Sequence, residues 1–306
     1  MPVYDIIITR KKLNIKKIIA IALLAVFLVS VCTILGIKKA SDNKKAEYAK
    51  ELEASQLQYL EEQRIKQEEE ERQRAIVQAR IDKANAPLSE EAKERVLNIY
   101  NNEDGIKRAY LTFDDGPTKA VTPFILDTLK QYNVKATFFV LGQNVKYNPD
   151  LVKREFDEGH YIANHGYTHT YSKVYSSVEA TLEEFNMAQQ AIRDALDNQS
   201  YNSKVFRFPG GSTGGRYSSI KKECKSYLLE NDVAYLDWNA LNSDAEGKFT
   251  KEQLLENAIN SIGTHEDVVI LMHDASDKIL TNEMLPELIE YLSNNGYGFY
   301  NLYDLM

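Results

Sequence analysis

Cysteine is scarce. The 306 residues hold two, Cys32 and Cys224, far apart in the chain, which excludes a disulfide framework. Excess positive charge is missing: 37 Lys and Arg face 45 Asp and Glu, a formal net charge of −8. That balance argues against a nucleic-acid partner, because phosphate binding needs Lys/Arg stripes. Tryptophan occurs once, as Trp238, and histidine five times. Glycine and proline are absent from 40 to 86, and charge is absent from Ile18 to Ile37. The length allows one large domain with extensions or two modest domains.

The uncharged run, "IIAIALLAVFLVSVCTILGI", measures about 30 Å as a helix, enough to span a bilayer. Five of the first 17 residues are Lys or Arg, which favours a cytoplasmic N-terminus. Lys38, Lys39, Lys44 and Lys45 weaken the asymmetry. A cleaved signal peptide competes, but the run is long for a signal core and no Ala-x-Ala site follows. Val31 before Cys32 argues against a lipoprotein site. The expectation is a basic cytoplasmic tail over 1–17, a single-pass anchor over 18–37, and the remainder outside the cell.

Residues 40–86 are rich in Glu, Lys, Gln, Arg and Ala. Glu62–Lys66, Glu68–Arg72 and Glu70–Arg74 stand i,i+4 with the acid first, the favourable order on a helix. The segment reads as one solvated helix, on the order of 70 Å long, serving as a spacer. Coiled-coil pairing competes, although Leu52, Leu57, Leu60 and Ile65 keep no heptad. Pro87 ends the pattern, and Ser89 reads as an N-cap with Glu90 and Glu91 in the first turn. "NNEDG" (101–105) is a turn that closes a charged helical stalk over 38–105.

From 106 to 306 the texture changes. Seven apolar runs, 108–113, 136–140, 161–165, 205–208, 234–238, 268–273 and 298–303, alternate with helical patterns such as 122–132 and 281–292. Such alternation predicts a parallel sheet with helices outside. Seven strands fit a distorted, incomplete (β/α) barrel better than an eight-fold one. Sites in such barrels lie at the C-terminal strand ends. Asp114, Asp115, His165, Arg207, Asp237 and His273 all fall at or near those ends.

His165 and His169 in "NHGYTHT" stand i,i+4, on a loop rather than a helix given the Gly and Thr around them. With a carboxylate from a neighbouring strand end they make a 2-His-1-carboxylate set, the open pattern of a catalytic metal. A divalent cation would hold the adjacent carboxylates of Asp114 and Asp115 ionised. One would bind it and the other face a water; an ordinary turn pair before Gly-Pro is the alternative. Arg207, in an apolar strand, needs an acidic partner, and Asp114 is the nearest candidate. Asp237, beside Trp238, could orient and charge His273. His160 and His265 lie in polar stretches expected to be exposed, and Cys224 reads as structural.

The motifs "TFDDGP", "HGYTH", "RFPGG", "LDW" and "LMH", in that order, resemble the polysaccharide deacetylases of carbohydrate esterase family four, the NodB-homology domain. The resemblance covers 106–306 and implies metal-dependent removal of N-acetyl groups from cell-surface glycans. It implies Asp114 as general base and Asp115, His165 and His169 as ligands of a divalent metal. Zinc is the expected metal, with cobalt, manganese or nickel as alternatives. It further implies Arg207 orienting Asp114, His273 as general acid tuned by Asp237, Trp238 lining the acetyl pocket, and an oxyanion donor at the Gly210 N–H. Two departures stand out. Gly166 replaces a Ser or Thr whose hydroxyl would brace the metal loop. Gly210 follows Pro209 where an aromatic wall is usual.

The expected function is deacetylation of peptidoglycan N-acetylglucosamine at a membrane-anchored site. Muramic-acid units, poly-N-acetylglucosamine and acetylxylan are alternative substrates. A non-catalytic glycan-binding wall protein is the competing class, disfavoured because every base, acid and ligand is present.

Overall fold

The computed structural model describes residues 15–101 and 104–306, with side chains described from residue 20. Most of the basic tail 1–17, and Asn102 and Glu103 of the expected turn, lie outside the described residues. Helix α1 runs unbroken over Ile15–Asn85. Its apolar part is long and apolar enough to cross a membrane, and Leu23 and Phe27 there are 65% and 64% exposed. Further along, the ion pairs join Arg64 to Glu61 and Glu68. The expected pairs Glu62–Lys66, Glu68–Arg72 and Glu70–Arg74 are not among them: Arg64 takes Glu68, and Glu62 accepts from the Gln58 amide at 3.1 Å.

Residues 74–306 form a compact unit, so it includes 32 residues ahead of the expected start at 106 (106 − 74). Ala84 is 1% exposed in the core. Arg80 donates to the Phe156 carbonyl at 2.8 Å, and the buried Lys204 ammonium donates to the Lys83 carbonyl at the helix end. Helix α2 (Glu90–Leu97) starts at Ser89, whose hydroxyl accepts from the Ala92 N–H, the N-cap the sequence predicts.

The strands are β1 (Arg108–Asp114), β2 (Thr137–Val140), β3 (Tyr161–Asn164), β4 (Val205–Phe206), β5 (Ala234–Tyr235), β6 (Ala240–Leu241), β7 (Asp267–His273) and β8 (Gly298–Tyr300). Between them lie α3 (Thr122–Gln131), α4 (Gly142–Tyr147), α5 (Pro149–Asp157), α6 (Tyr171–Val174), α7 (Val178–Ala195), α8 (Ser218–Glu230), α9 (Lys251–Ile262) and α10 (Ile279–Asn294). All pairings are parallel. The sheet runs β5-β4-β3-β2-β1-β7-β6, with β8 beside the start of β1. This is an open, curled half-barrel of seven parallel strands. Strands β1 to β3 and β7 are buried on both faces, which is why they read as unbroken apolar runs.

The expected strand 234–238 is the exception. Only its first two residues form a strand, β5; an unforeseen β6 follows beyond its expected end, and β5 and β6 form the two edges of the sheet. The residues between them, 236–239, cross the seam: Leu236 N–H donates to Phe206 of β4, and Asn239 N–H to Val269 of β7. One chain segment thus switches partners from one edge to the other, and no continuous ladder is available to it.

The core centres on rings such as Phe113 and Phe138, stacked at 5.2 Å and at most 1% exposed. Phe138→Ala should destabilise the chain by about 3–5 kcal/mol, the usual cost of a cavity left by a buried Phe. Urea unfolding of the detergent-solubilised full chain measures it; a loss below about 1 kcal/mol would contradict the packing described.

Candidate active site

The end of β1 leads into a turn in which Asp115 adopts φ +73°, a conformation costly for a residue with a Cβ. Hydrogen bonds hold it there. Asn144 donates its side-chain N–H to the Asp115 carbonyl at 2.7 Å, Leu141 N–H donates to Gly116, and Asp274 N–H to Asp114. The two carboxylates consequently point to different surroundings.

Asp114, 2% exposed, accepts from the Arg207 guanidinium at 2.8 Å. Arg207 is 0% exposed. It also donates to Thr112 Oγ1 (2.8 Å) and to the carbonyls of Leu236 (3.0 Å) and Asp237 (2.9 Å), and lies 3.9 Å over the Phe139 ring. The acidic partner expected for Arg207 is the one found.

Asp115 Oδ1 is buried with no hydrogen-bond partner among the described residues. Facing it are His165 Nε2 at 3.6 Å and His169 Nε2 at 3.5 Å, and the ligand atoms of the three residues lie within 4.8 Å of one another. His165 Nδ1 lies 2.7 Å from the Arg207 carbonyl, so Nδ1–H donates there and the Nε2 lone pair faces Asp115. Burial lowers the His165 pKa, keeping the ring neutral as ligation requires. An orphaned carboxylate oxygen facing two imidazole nitrogens, with the His165 lone pair turned toward it, fits a divalent cation, so the residues present can hold the implied metal.

The loop carrying both histidines is braced despite Gly166. Glu184 of α7 accepts from the N–H groups of Tyr167 (2.8 Å) and Thr168 (2.6 Å) and from Thr168 Oγ1 (2.8 Å). Gly166 adopts φ +83°, which a Ser or Thr would enter only with strain. The missing hydroxyl is thus replaced by a carboxylate from another element.

His273, the last residue of β7, lies across the cavity. Asp237 does not reach it. Asp237 instead accepts from Ser212 N–H (2.8 Å) and Ser212 Oγ (2.7 Å), because it sits in the seam crossing, turned toward the 208–212 loop. The partner is Asp244: His273 Nδ1 stands 2.6 Å from its Oδ1. Asp244 Oδ2 accepts from the His273 N–H (3.0 Å) and Thr281 Oγ1 (2.6 Å). Burial alone would lower the His273 pKa. The Asp244 hydrogen bond and charge, with Asp114 and Asp115 adding, outweigh it and push the pKa up to about 9. His160, expected on the surface, is 1% exposed and accepts from the Ala136 N–H at 3.0 Å. Its polar sequence neighbours hide an inward-facing strand start.

Trp238, Leu241, Leu271 and Gly210 line the same cavity of about 230 Å³. Gly210 N–H donates to no group among the described residues. Tyr171, from α6, supplies the wall that Gly210 lacks: its hydroxyl lies 2.4 Å from where a Gly210 Cβ would stand. Two buried groups escaped the sequence reading besides Asp244. Asp274 accepts from Thr122 Oγ1 while its Oδ1 is partnerless among the described residues. Burial, against that hydrogen bond and with Asp115 and Asp114 adding, pushes its pKa up to about 7. Glu155, fully buried and without a side-chain partner among the described residues, is raised by burial and by Asp274.

Residues 101–228 match the family model for polysaccharide deacetylase. Peptidoglycan-N-acetylglucosamine deacetylase PgdA of Listeria monocytogenes is 35% identical over 199 residues, 65% of this chain and 39% of that protein. The chain therefore spans about two fifths of that relative's length. A peptidoglycan-N-acetylglucosamine deacetylase of Bacillus cereus is 34% identical over 233 residues, 74% of this chain and 79% of that protein. Among solved structures, a Streptococcus mutans CE4 esterase superposes with a TM-score of 0.62 at 31% identity, covering 71% of this chain and 93% of that one. By sequence and by fold, the chain belongs to the polysaccharide deacetylase family.

Proposed function

We propose that the chain is a membrane-anchored, metal-dependent hydrolase. It removes N-acetyl groups from N-acetylglucosamine units of cell-wall peptidoglycan and releases acetate. Residues 18–37 would anchor it once through the cell membrane, with the N-terminus cytoplasmic and 38–306 outside. The observation that supports this best is one cavity bordered by a fixed carboxylate, an open 2-His-1-carboxylate set and a charged imidazole. The relatives named as peptidoglycan deacetylases support the substrate class.

Asp115, His165 and His169 would hold the cation, and two imidazoles with one carboxylate suit zinc. When bound, such an ion supplies Lewis-acid chemistry, polarising the acetamide carbonyl and making water a stronger acid. Asp114, held in place by Arg207, accepts the proton of the attacking water. The Gly210 N–H faces the developing oxyanion, and Trp238 packs beside the acetyl group. His273, charged through Asp244, gives its proton to the departing amine nitrogen. Asp237 contributes by bracing the loop that presents Gly210.

The two aspartates should separate on mutation. Asp115→Asn should lose metal and activity together, as should His165→Ala. Asp114→Asn should keep the metal and lower kcat by about 10²–10⁴-fold, the range of a general base. Metal analysis and acetate release from chitooligosaccharides by the full chain decide this; metal loss in Asp114→Asn would exchange the roles.

Above its pKa, His273 has no proton to give, so kcat/KM should fall on the alkaline side. Asp244→Asn removes the charge that raises that pKa, and the alkaline limb should move about 1–3 units lower. An unmoved limb would show that His273 does not set it.

Mass spectrometry of muropeptides from wild-type and deletion strains tests the substrate. Loss of the gene should raise the acetylated fraction of glucosamine. A change confined to muramic acid would reassign the sugar, and no change in the wall would place the substrate elsewhere.

A further inference from the structure

The turn Phe208-Pro209-Gly210-Gly211 closes through a Gly211 N–H to Phe208 carbonyl bond of 2.8 Å. Gly210 adopts φ +72°, so this is a type II turn with proline at its second position and glycine at its third. The peptide between Pro209 and Gly210 is its weak element, because rotating that peptide by about 180° converts type II to type I. A trans peptide is planar with its C=O and N–H on opposite sides. Whatever fixes the Pro209 carbonyl therefore aims the Gly210 N–H.

That carbonyl accepts from the Tyr175 hydroxyl at 2.8 Å, in a buried position. Tyr175 is 1% exposed. Its ring lies between Tyr171 (6.0 Å) and Tyr217 (5.2 Å), with Lys221 Nζ 4.9 Å from its centroid. Lys221 Nζ in turn donates to the Gly211 carbonyl at 2.6 Å. Burial pushes the Tyr175 pKa well above the ordinary range, so the hydroxyl remains a donor. On the opposite side of the same peptide, the Gly210 N–H donates to no group among the described residues, and Gly210 borders the cavity.

We infer that Tyr175 is a positioning residue whose hydroxyl locks the Pro209–Gly210 peptide so that the Gly210 N–H, not the Pro209 carbonyl, faces the reacting acyl group. The inference rests on the hydrolase reading above. With the peptide reversed, a carbonyl oxygen would confront the developing oxyanion, so a donor would become a repelling acceptor. Tyr175 lies six residues after His169, separated from it by Thr170 and α6. One short segment therefore sets both a metal ligand and the direction of the oxyanion donor.

Tyr175→Phe tests this, since it removes only the hydroxyl and leaves the ring in place. In the detergent-solubilised full chain, kcat on chitooligosaccharides should fall about 10²-fold, the lower end for a lost oxyanion donor. KM should stay within about twofold and bound metal should equal wild type. A crystal structure of the variant should show the Pro209–Gly210 peptide reversed or mixed. Unchanged kcat, or an unreversed peptide at full occupancy, overturns the inference. Metal lost in proportion to kcat also overturns it, because Tyr175 would then serve only the His169 loop. A wild-type chain that releases no acetate from any acetylated glucosamine polymer defeats the hydrolase reading itself, and this inference with it.

Discussion

The Arg207 guanidinium is the interaction on which the site and the sheet both depend. The half-barrel is open between β5 and β6, and residues 236–239 cross the gap with little ladder to hold them. Arg207 takes the Leu236 and Asp237 carbonyls on one side and Asp114 and Thr112 on the other. Its fork-shaped set of N–H donors can serve such divergent acceptors, where a lysine ammonium would present a point charge on a flexible stem. A fully buried cation is tolerated only when paired and hydrogen-bonded. Both needs are met here by groups that the site uses. Breaking the pair would leave a buried charge, at a cost of about 3–5 kcal/mol, so strength of fold and aim of Asp114 cannot be varied separately.

The same logic explains why adjacent aspartates coexist at the end of β1. Asp114 has its compensating charge built into the protein. Asp115 has none: its inward oxygen has no hydrogen-bond partner among the described residues and faces the imidazole nitrogens of His165 and His169. Like charges side by side are costly unless each is compensated differently. The arrangement leaves one carboxylate satisfied by the chain and one that asks for a cation from outside. His273 repeats the first solution across the cavity, with Asp244 as its fixed counter-charge.

Much of this was legible because polar residues interrupt apolar runs at one end of a parallel sheet. Asp114, Asp115, His165 and His273 stand out against their strands, and Arg207 in "VFRF" demanded a partner on burial grounds alone. Asp244 was not legible. It follows a two-residue strand, too short for any periodicity, within a polar "NSDAEG" that reads as a plain loop. The only signal available was an acid a few residues beyond a short apolar run, at the pole where the other groups gather. Asp237 attracted the tuning role by adjacency to Trp238, but a seam-crossing segment does not alternate its side chains as a strand does. Residues 74–85 share the composition of the solvated helix before them, so nothing local marked where packing begins.

The two glycine departures show how the fold redistributes a task. Gly166 removes a hydroxyl from the metal loop, and Glu184, 18 residues away on α7 (184 − 166), takes three of that loop's donors instead. Gly210 removes an aromatic ring, and Tyr171 from α6 occupies the notch. In each case the replacement comes from an element packed against the loop, not from the loop itself. What the site requires is that the loop's backbone be held and the cavity be walled, since pre-organised donors act without reorganising during reaction. Side-chain identity at the motif position is one way to meet that requirement. A buried carboxylate or a neighbouring ring is another, and a motif comparison alone does not see either.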